Sequence, residues 1–406
     1  MYKILWARNE MPKAEDKELA IMAPEESERA RTFHKSFPQY SETPLAELDG
    51  MAKHLGLKKL FVKDESYRFG LNAFKVLGGS YAIGRYIAQK TGKDISEVTY
   101  DYLTSDKLKE EFGQTTFYTA TDGNHGRGIA WAANKLGQKC DIIMPVGSSE
   151  IRLQAIRDEG ATAFISEMNY DDCVRAQNEK AEKNGDGVMV QDTAWPGYEE
   201  IPSWIMQGYG TMAMEAAEQL KAAGIDRPTH VFVQAGVGSL AGGVTGFFAN
   251  RYPDNCPKIV VVEAKSAANL YKSAQAEDGV LRAVGGDLRT IMAGLACGEG
   301  NTLAWNILKD KVSVFVSAPE WVTAKGMRML GAPVKGDPQV VSGESGAVPT
   351  GLICEIMEND DYADLREELG LDENSVVLSF STEGDTDPDS YQSIVWDGKI
   401  NSNSKY

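Results

Sequence analysis

No apolar run in the chain approaches the roughly 20 residues that a membrane-spanning helix needs. The opening stretch, MYKILWARNEMPKAEDKELA, has no apolar core behind basic residues, so it does not read as a secretory leader. Both absences lead to the expectation of a cytoplasmic protein with no membrane partner. Only five cysteines occur in 406 residues, at positions 140, 173, 256, 297 and 354, and none forms a CxxC pair. With four histidines there is no zinc-like cluster, so no metal site is predicted, and free thiols in a reducing compartment are the simplest account. Basic residues are outnumbered: 42 Lys+Arg against 59 Asp+Glu leave a net charge of −17. Such a surface repels a polyanion, so nucleic acid is not an expected partner. Repeats and low-complexity segments are lacking too.

What is present is an α/β pattern. The length exceeds one ordinary core and suggests two domains or one large α/β unit. Residues 76–90 read as a helix with one buried face. Strand-like TTFYTAT, KCDIIMP, TAFISE and GVMVQD then alternate with helical segments that end at Gly137 and Gly160, one of them capped by Ser148 or Ser149. A longer helical region covers about residues 203–223. THVFVQAG opens a second unit with KIVVVEAK and, late in the chain, SVVLSFS as further strands, and the tail after Asp387 reads as polar and frayed. This alternation predicts largely parallel sheets flanked by helices. Ligands in such folds sit beyond the carboxyl ends of the strands, and those ends here are rich in Gly, Ser, Thr, Asp and Asn.

Three of these segments carry chemistry. GVGSLAGG (236–243) opens a helix, where glycine lets the backbone approach a phosphate and free N–H groups point at it. The same residues fit a dinucleotide fingerprint, Gly236-x-Gly238-x-x-Ala241, with Glu263 placed to bind a ribose, so a nicotinamide or flavin oxidoreductase stays open. In NAFKVLGGS, Lys75 sits between apolar neighbours and a Gly-Gly turn. Burial there would lower its pKa and free a neutral amine for Schiff-base chemistry. In TDGNHG, Thr121, Asp122, Gly123 and His125 offer amides and hydroxyls that cradle a carboxylate, and Asn124 can bind a ring oxygen.

In this order, SYRFGLNAFK, TDGNHGRG and AGVGSLAGG resemble the fold-type II pyridoxal-phosphate enzymes, which include threonine dehydratase and the cysteine and tryptophan synthases. The likeness covers most of residues 42–250 and resumes near 340–390. Asp122, the segments VQDTAWPGYEEIP and MAGLACGE, and the ending LSFSTEGDTD bring the chain nearest to the lyases of this family that act on 2,3-diaminopropionate.

The resemblance implies a two-domain α/β fold, with residues 1–90 plus 215–406 as the large cofactor-binding domain and 91–214 as the small one, and a homodimer. It implies that Lys75 carries pyridoxal 5'-phosphate and that Asn124 binds the ring hydroxyl oxygen. Gly236, Val237, Gly238, Ser239 and Leu240 would hold the phosphate, and Ser381 or Thr382 would face the pyridine nitrogen. The expected reaction is α,β-elimination of ammonia from 2,3-diaminopropionate, D or L, giving pyruvate and two ammonia. Lys75 would take the α-proton of an L-substrate. Asp122 would face an ammonium group or serve as base for a D-substrate. Asp192 is a second acid or ammonium partner. Glu344 lies where the family has a residue near the ring, and Trp195 and Tyr198 are pocket or core aromatics. A serine or threonine dehydratase is the alternative within the family. A ligand-binding protein without turnover is another.

Overall fold

The computed structural model describes residues 3–13, 17–185 and 187–402. Among these are eleven strands: β1 (Leu5–Arg8), β2 (Leu45–Glu47), β3 (Lys59–Asp64), β4 (Thr116–Ala120), β5 (Lys139–Met144), β6 (Thr162–Ile165), β7 (Gly187–Met189), β8 (His230–Gln234), β9 (Lys258–Ala264), β10 (Val312–Ala318) and β11 (Val376–Ser381). They form two sheets. Seven strands run in the order β1-β10-β9-β8-β11-β3-β2, and four in the order β6-β5-β4-β7. All pairings in the small sheet are parallel. The large sheet is parallel except at its edges, where β1 and β2 pair antiparallel with β10 and β3. The parallel arrangement expected from the alternation is present. Helices cover both faces, so β8 and β11 are buried along their whole length and read as continuous apolar runs.

The strand order reverses direction around β8: β9 lies on one side, and β11, the last strand of the chain, on the other. A crevice beyond strand carboxyl ends at such a reversal is where open α/β sheets bind ligands.

Two helices, Val76–Thr91 and Glu200–Ala222, pack directly against each other. They cross so closely that a Cβ on Gly208 would stand 2.5 Å from the Leu77 carbonyl oxygen, and one on Gly78 would stand 2.6 Å from Ile205. Glycine on each helix is what lets the turn after Lys75 sit against the long helix.

Glu215 of the long helix belongs to a fully buried ionic cluster. The Arg68 guanidinium donates to Glu65 at 2.8 Å and to both oxygens of Glu215 at 2.9 and 2.7 Å, and Lys63 Nζ stands 2.8 Å from Glu215. Two cations and two carboxylates balance there, which makes burial of the charges tolerable.

The structure departs from the sequence reading in places. Residues 388–395, expected to fray, form a helix started by Pro388 and capped by Asp387, whose side chain accepts from the Ser390 N–H. Ser149 is the N-cap of helix Glu150–Asp158 but makes no side-chain cap hydrogen bond, and the Ser148 hydroxyl donates to Pro145 O instead. All five cysteines are free. Among the described residues no helix is long and apolar enough to cross a membrane.

Candidate active site

Lys75 closes the loop that follows β3 and immediately precedes helix Val76–Thr91. The loop holds Phe69 at φ 51° and Asn72 at φ 58°, a left-handed conformation uncommon outside glycine. Neighbouring backbone fixes it. Phe74 N–H donates to Thr382 O at 3.0 Å, Gly384 N–H donates to Asn72 O at 3.0 Å, and Ala73 bridges Glu383. The segment after β11 therefore clamps the segment that presents Lys75.

The Lys75 ammonium meets a carboxylate. Its Nζ lies 2.5 Å from Asp192 Oδ2. Burial alone would lower the lysine pKa, as the sequence suggested, but the Asp192 charge outweighs it and the pKa is raised. The expectation of a lowered lysine pKa is thereby corrected: the Lys75 ammonium is held by a partner that lies 117 residues away in sequence. Burial also works against ionised Asp192, yet Lys75 and then His125 hold it down to about 2.

Two further side chains fix Asp192 by its backbone. The Ser239 hydroxyl donates to its carbonyl, and Asn301 Nδ2 donates to the same carbonyl at 2.9 Å and to Ser239 Oγ at 2.7 Å.

Residues 235–238 join β8 to helix Ser239–Arg251. Gly238 caps that helix at φ +100°, a conformation that favours glycine. A Cβ on Gly236 would come within 2.8 Å of Gly294 O. The loop thus exposes backbone at the N-terminus of a thirteen-residue helix, where an anion is favoured.

Residues 121–125 follow β4. Thr121 Oγ1 accepts from the N–H groups of Gly123 and Gly126, both at 2.9 Å. Asn124 opens helix Asn124–Lys135, and its Nδ2 donates to Glu383 Oε2. His125 donates from Nε2 to Val190 O at 2.9 Å, while its buried Nδ1 has no partner. Asp122 Oδ2 is likewise buried without a hydrogen-bond partner.

One cavity gathers most of the residues singled out from sequence. Lys75, Asp122, Asn124, His125, Asp192, Thr382 and the whole loop Gly236, Val237, Gly238, Ser239 and Leu240 line it. Thr121, Gly123 and Ser381 do not. Thr121 shapes the turn, Gly123 lies in it, and the Ser381 hydroxyl donates to Ser342 Oγ at 2.8 Å. Thr382 Oγ1, facing the cavity, accepts from Gln234 Nε2 at 2.6 Å. Trp195 and Tyr198 stack at 4.3 Å outside the cavity, and the Tyr198 hydroxyl donates to Met189 O at 2.9 Å.

Sequence reasoning missed Glu383, Gln234, Tyr170 and Cys297 in the lining. Glu383 stands inside the STEG segment already marked, and its Oε1 accepts from the Ser345 N–H at 2.9 Å. Burial drives the Cys297 thiol well above its usual pKa, which makes it a poor nucleophile.

The dinucleotide reading fails on Glu263. Its carboxylate is fully buried and accepts from the N–H groups of Leu270 and Tyr271 at 2.9 and 2.7 Å. It holds the start of helix Asn269–Gln275 and leaves nothing to bind a ribose.

A family model described as pyridoxal-phosphate dependent enzyme matches residues 37–359. The diaminopropionate ammonia-lyase of Salmonella typhimurium is 52% identical over 368 residues, which cover 90% of this chain and 91% of that protein. The crystal structure of the Escherichia coli diaminopropionate ammonia lyase with an aminoacrylate-PLP azomethine reaction intermediate superposes at a TM-score of 0.89, with 44% identity and 99% of both chains covered. The same Escherichia coli enzyme in complex with D-serine gives 0.90, with 43% identity and 98% of both chains covered.

The residues present fit the cofactor that this family uses. A lysine amine, a glycine cradle that a Cβ would fill, a helix N-terminus and hydroxyl and amide groups converge on one cavity, and two polar atoms there, Asp122 Oδ2 and His125 Nδ1, have no partner in the protein.

Proposed function

The chain belongs to the pyridoxal-phosphate dependent enzymes and, among them, to the diaminopropionate ammonia-lyases, and from that premise we infer that it eliminates ammonia from 2,3-diaminopropionate to give pyruvate and a second ammonia. Pyridoxal phosphate supplies the electron sink for loss of the α-proton and of the β-amine. Everything else is positioning and proton handling by this chain.

Lys75 Nζ would hold the cofactor, and its free amine is the base for the α-proton of an L-substrate. Gly236, Val237, Gly238, Ser239 and Leu240 hold the phosphate through backbone N–H groups. Asn124 orients the ring through its hydroxyl oxygen. Thr382, which lines the cavity, would meet the ring nitrogen with a hydroxyl rather than a charge, whereas the Ser381 hydroxyl is turned to Ser342. Thr121, Gly123 and His125 form the turn that receives the substrate carboxylate.

Asp122 is the base for a D-substrate or the partner of its β-ammonium. The supporting observation is its buried, unpartnered Oδ2 on the cavity wall. A free carboxylate suits an amine leaving group better than the hydroxyl that a serine or threonine dehydratase expels. Asp192 is the ammonium partner, and the ammonium it meets in the structure is that of Lys75.

The small sheet, built wholly from residues 116–189, supports residues 91–214 as one domain and 1–90 plus 215–406 as the other, closing on substrate between them. The five free cysteines support a reducing, cytoplasmic location, and the resemblance supports a homodimer, which sedimentation tests directly.

The observation that carries the reading is the convergence of Lys75, Asp122 and the glycine loop on one cavity. Its test is pyruvate release from the D- and L-isomers, followed beside the visible band of the bound cofactor. Keto acid from serine or threonine alone, with none from diaminopropionate, would overturn the substrate and leave the family intact.

A further inference from the structure

A second cavity of about 280 Å³ adjoins the catalytic one, and Asp122 and Tyr170 line both. Its charged lining consists of four carboxylates, on Asp122, Asp287, Glu344 and Asp387, and two guanidinium groups, on Arg152 and Arg289. Arg289 is exposed, with 84% of its side-chain surface open. Arg152 is only 8% exposed.

Burial works against the Arg152 charge, yet Glu383, Glu344, Asp122 and Asp387 outweigh it and raise its pKa, so Arg152 is balanced in charge but not satisfied in hydrogen bonds. It sits on helix Glu150–Asp158 with its stem against Gly123, where a Cβ would stand 2.9 Å from Arg152 Cδ. Its Nε is buried with no hydrogen-bond partner. Among the described residues its one ion pair is with Glu344 Oε2, 3.6 Å from Nη2, which is beyond hydrogen-bond reach. Glu344 Oε1 instead accepts from the Ser390 hydroxyl at 2.5 Å.

A guanidinium has five donors in a fixed fork, and leaving its buried Nε–H unpaired is costly. Were Arg152 present only to balance the acidic wall, one of those carboxylates would close on it at the 2.7–2.9 Å typical of such pairs. None does. The missing partner has the chemistry of a carboxylate that arrives from outside and binds the fork with both oxygens.

We propose that Arg152 docks the α-carboxylate of the substrate in this vestibule, while the surrounding carboxylates take its ammonium groups, so that the vestibule selects amino acids carrying a second amine. The proposal rests on the reading of the substrate given above. It assigns to Arg152 a step outside the turn 121–125, at the wall the substrate passes before it reaches Asp122. An amino acid with one amine satisfies the arginine but leaves the acidic wall without its full complement of cations. A diamine without a carboxylate does the reverse.

The test uses the holoenzyme and two probes that cannot be turned over to a keto acid, 3-aminopropionate, which keeps the carboxylate, and 1,2-diaminoethane, which lacks it. In Arg152→Gln the cofactor band stays and kcat falls less than about threefold. KM for diaminopropionate and the inhibition constant of 3-aminopropionate both rise about 10- to 100-fold, the range for losing a charged hydrogen-bond pair. The inhibition constant of 1,2-diaminoethane is unchanged. Arg152→Lys, which keeps the charge without the fork, falls between.

Unchanged KM and 3-aminopropionate inhibition, or equal weakening of both probes, would overturn the proposal. If Arg152→Gln does not fold, Arg152→Lys decides by the same two constants, and wild-type values there overturn it. If the wild-type enzyme releases no pyruvate from diaminopropionate, the functional reading fails separately, and calorimetric binding of the two probes to wild type and variant still decides the role of Arg152.

Discussion

Lys75 and Asp192 titrate in opposite directions because each is the largest favourable charge the other meets. The pair stores the lysine as an ammonium, whereas attachment of a cofactor aldehyde needs the free amine. In Asp192→Asn the carboxylate is gone and burial dominates, so the Lys75 pKa falls below its ordinary value. Cofactor uptake by apo-enzyme should then extend to lower pH than in wild type, and superimposable uptake profiles would show that Asp192 does not set the protonation of Lys75. Lys75→Ala should lose the cofactor band and nearly all turnover while keeping the fold, read by circular dichroism. Asp122→Asn should separate the isomers. If Asp122 is the D-side base, turnover of the D-isomer falls about 10²- to 10⁴-fold, the usual weight of a general base, and that of the L-isomer falls much less. Equal losses on both isomers would make Asp122 an ammonium partner only. The residues of this site were legible one by one, because lysine before Gly-Gly, TDGNH and GVGSLAGG each carry a local signal. The Lys75–Asp192 pair was not. It joins two loops from different sheets, and no local pattern encodes a contact across 117 residues.

At the scale of elements, the turn that carries Lys75 depends on a helix crossing permitted by glycine. A methyl at position 208 would meet the Leu77 carbonyl oxygen and Gly78 Cα, which are backbone atoms that cannot rotate away. Gly208→Ala should therefore destabilise the fold by about 1–3 kcal/mol, the range for overpacking, and loosen cofactor binding because Lys75 follows the moved helix. Urea titration and cofactor affinity measure the two effects. The strands and helices of the small sheet were readable because short apolar strands alternate with amphipathic helices, with glycine or a polar turn between them. The edge strands β1 and β2 were not, since three or four residues cannot show a period. β10 has an alternating signal, Val312, Val314 and Val316 set between Ser313, Phe315 and Ser317, that the reading passed over. The helix at residues 388–395 escaped because its polar sequence hides two anchors, Tyr391 and Ile394, which are buried in the large-sheet core. The ionic cluster of Lys63, Glu65, Arg68 and Glu215 escaped for the same reason as the Lys75–Asp192 pair, since its members read individually as surface charges.

For the whole molecule, buried titratable groups set the pH of greatest stability. His34 is fully buried, donating from Nε2 to Leu77 O and accepting at Nδ1 from Thr211, and burial drives its pKa down to about 3. A folded pKa below the unfolded value means that its stabilisation is full above about pH 6.5 and is lost as the pH falls toward 3. Asp192 and Glu215, both held near 2, add losses in the same direction below about pH 4. Glu263 opposes them. Burial raises it to about 8 against the pull of its backbone donors, so the folded state prefers the neutral acid, and stability is lost as the pH rises from about 4.5 to 8. Acidification therefore costs stability through His34 and gains it through Glu263 between about pH 4.5 and 6.5, where the two offset. Of these four groups, Glu263 alone goes on losing stability above that window, and below it the losses at His34, Asp192 and Glu215 act together. The cofactor-free protein should be most stable near pH 5–6, with a steep acid limb and a shallower alkaline limb worth a few kcal/mol at roughly 1.4 kcal/mol per pKa unit. Glu263→Gln keeps an oxygen for the Leu270 and Tyr271 N–H groups and removes the titration, so its melting temperature should stay level from pH 6 to 8 while that of wild type declines. Parallel declines in the two proteins would place the alkaline limb elsewhere.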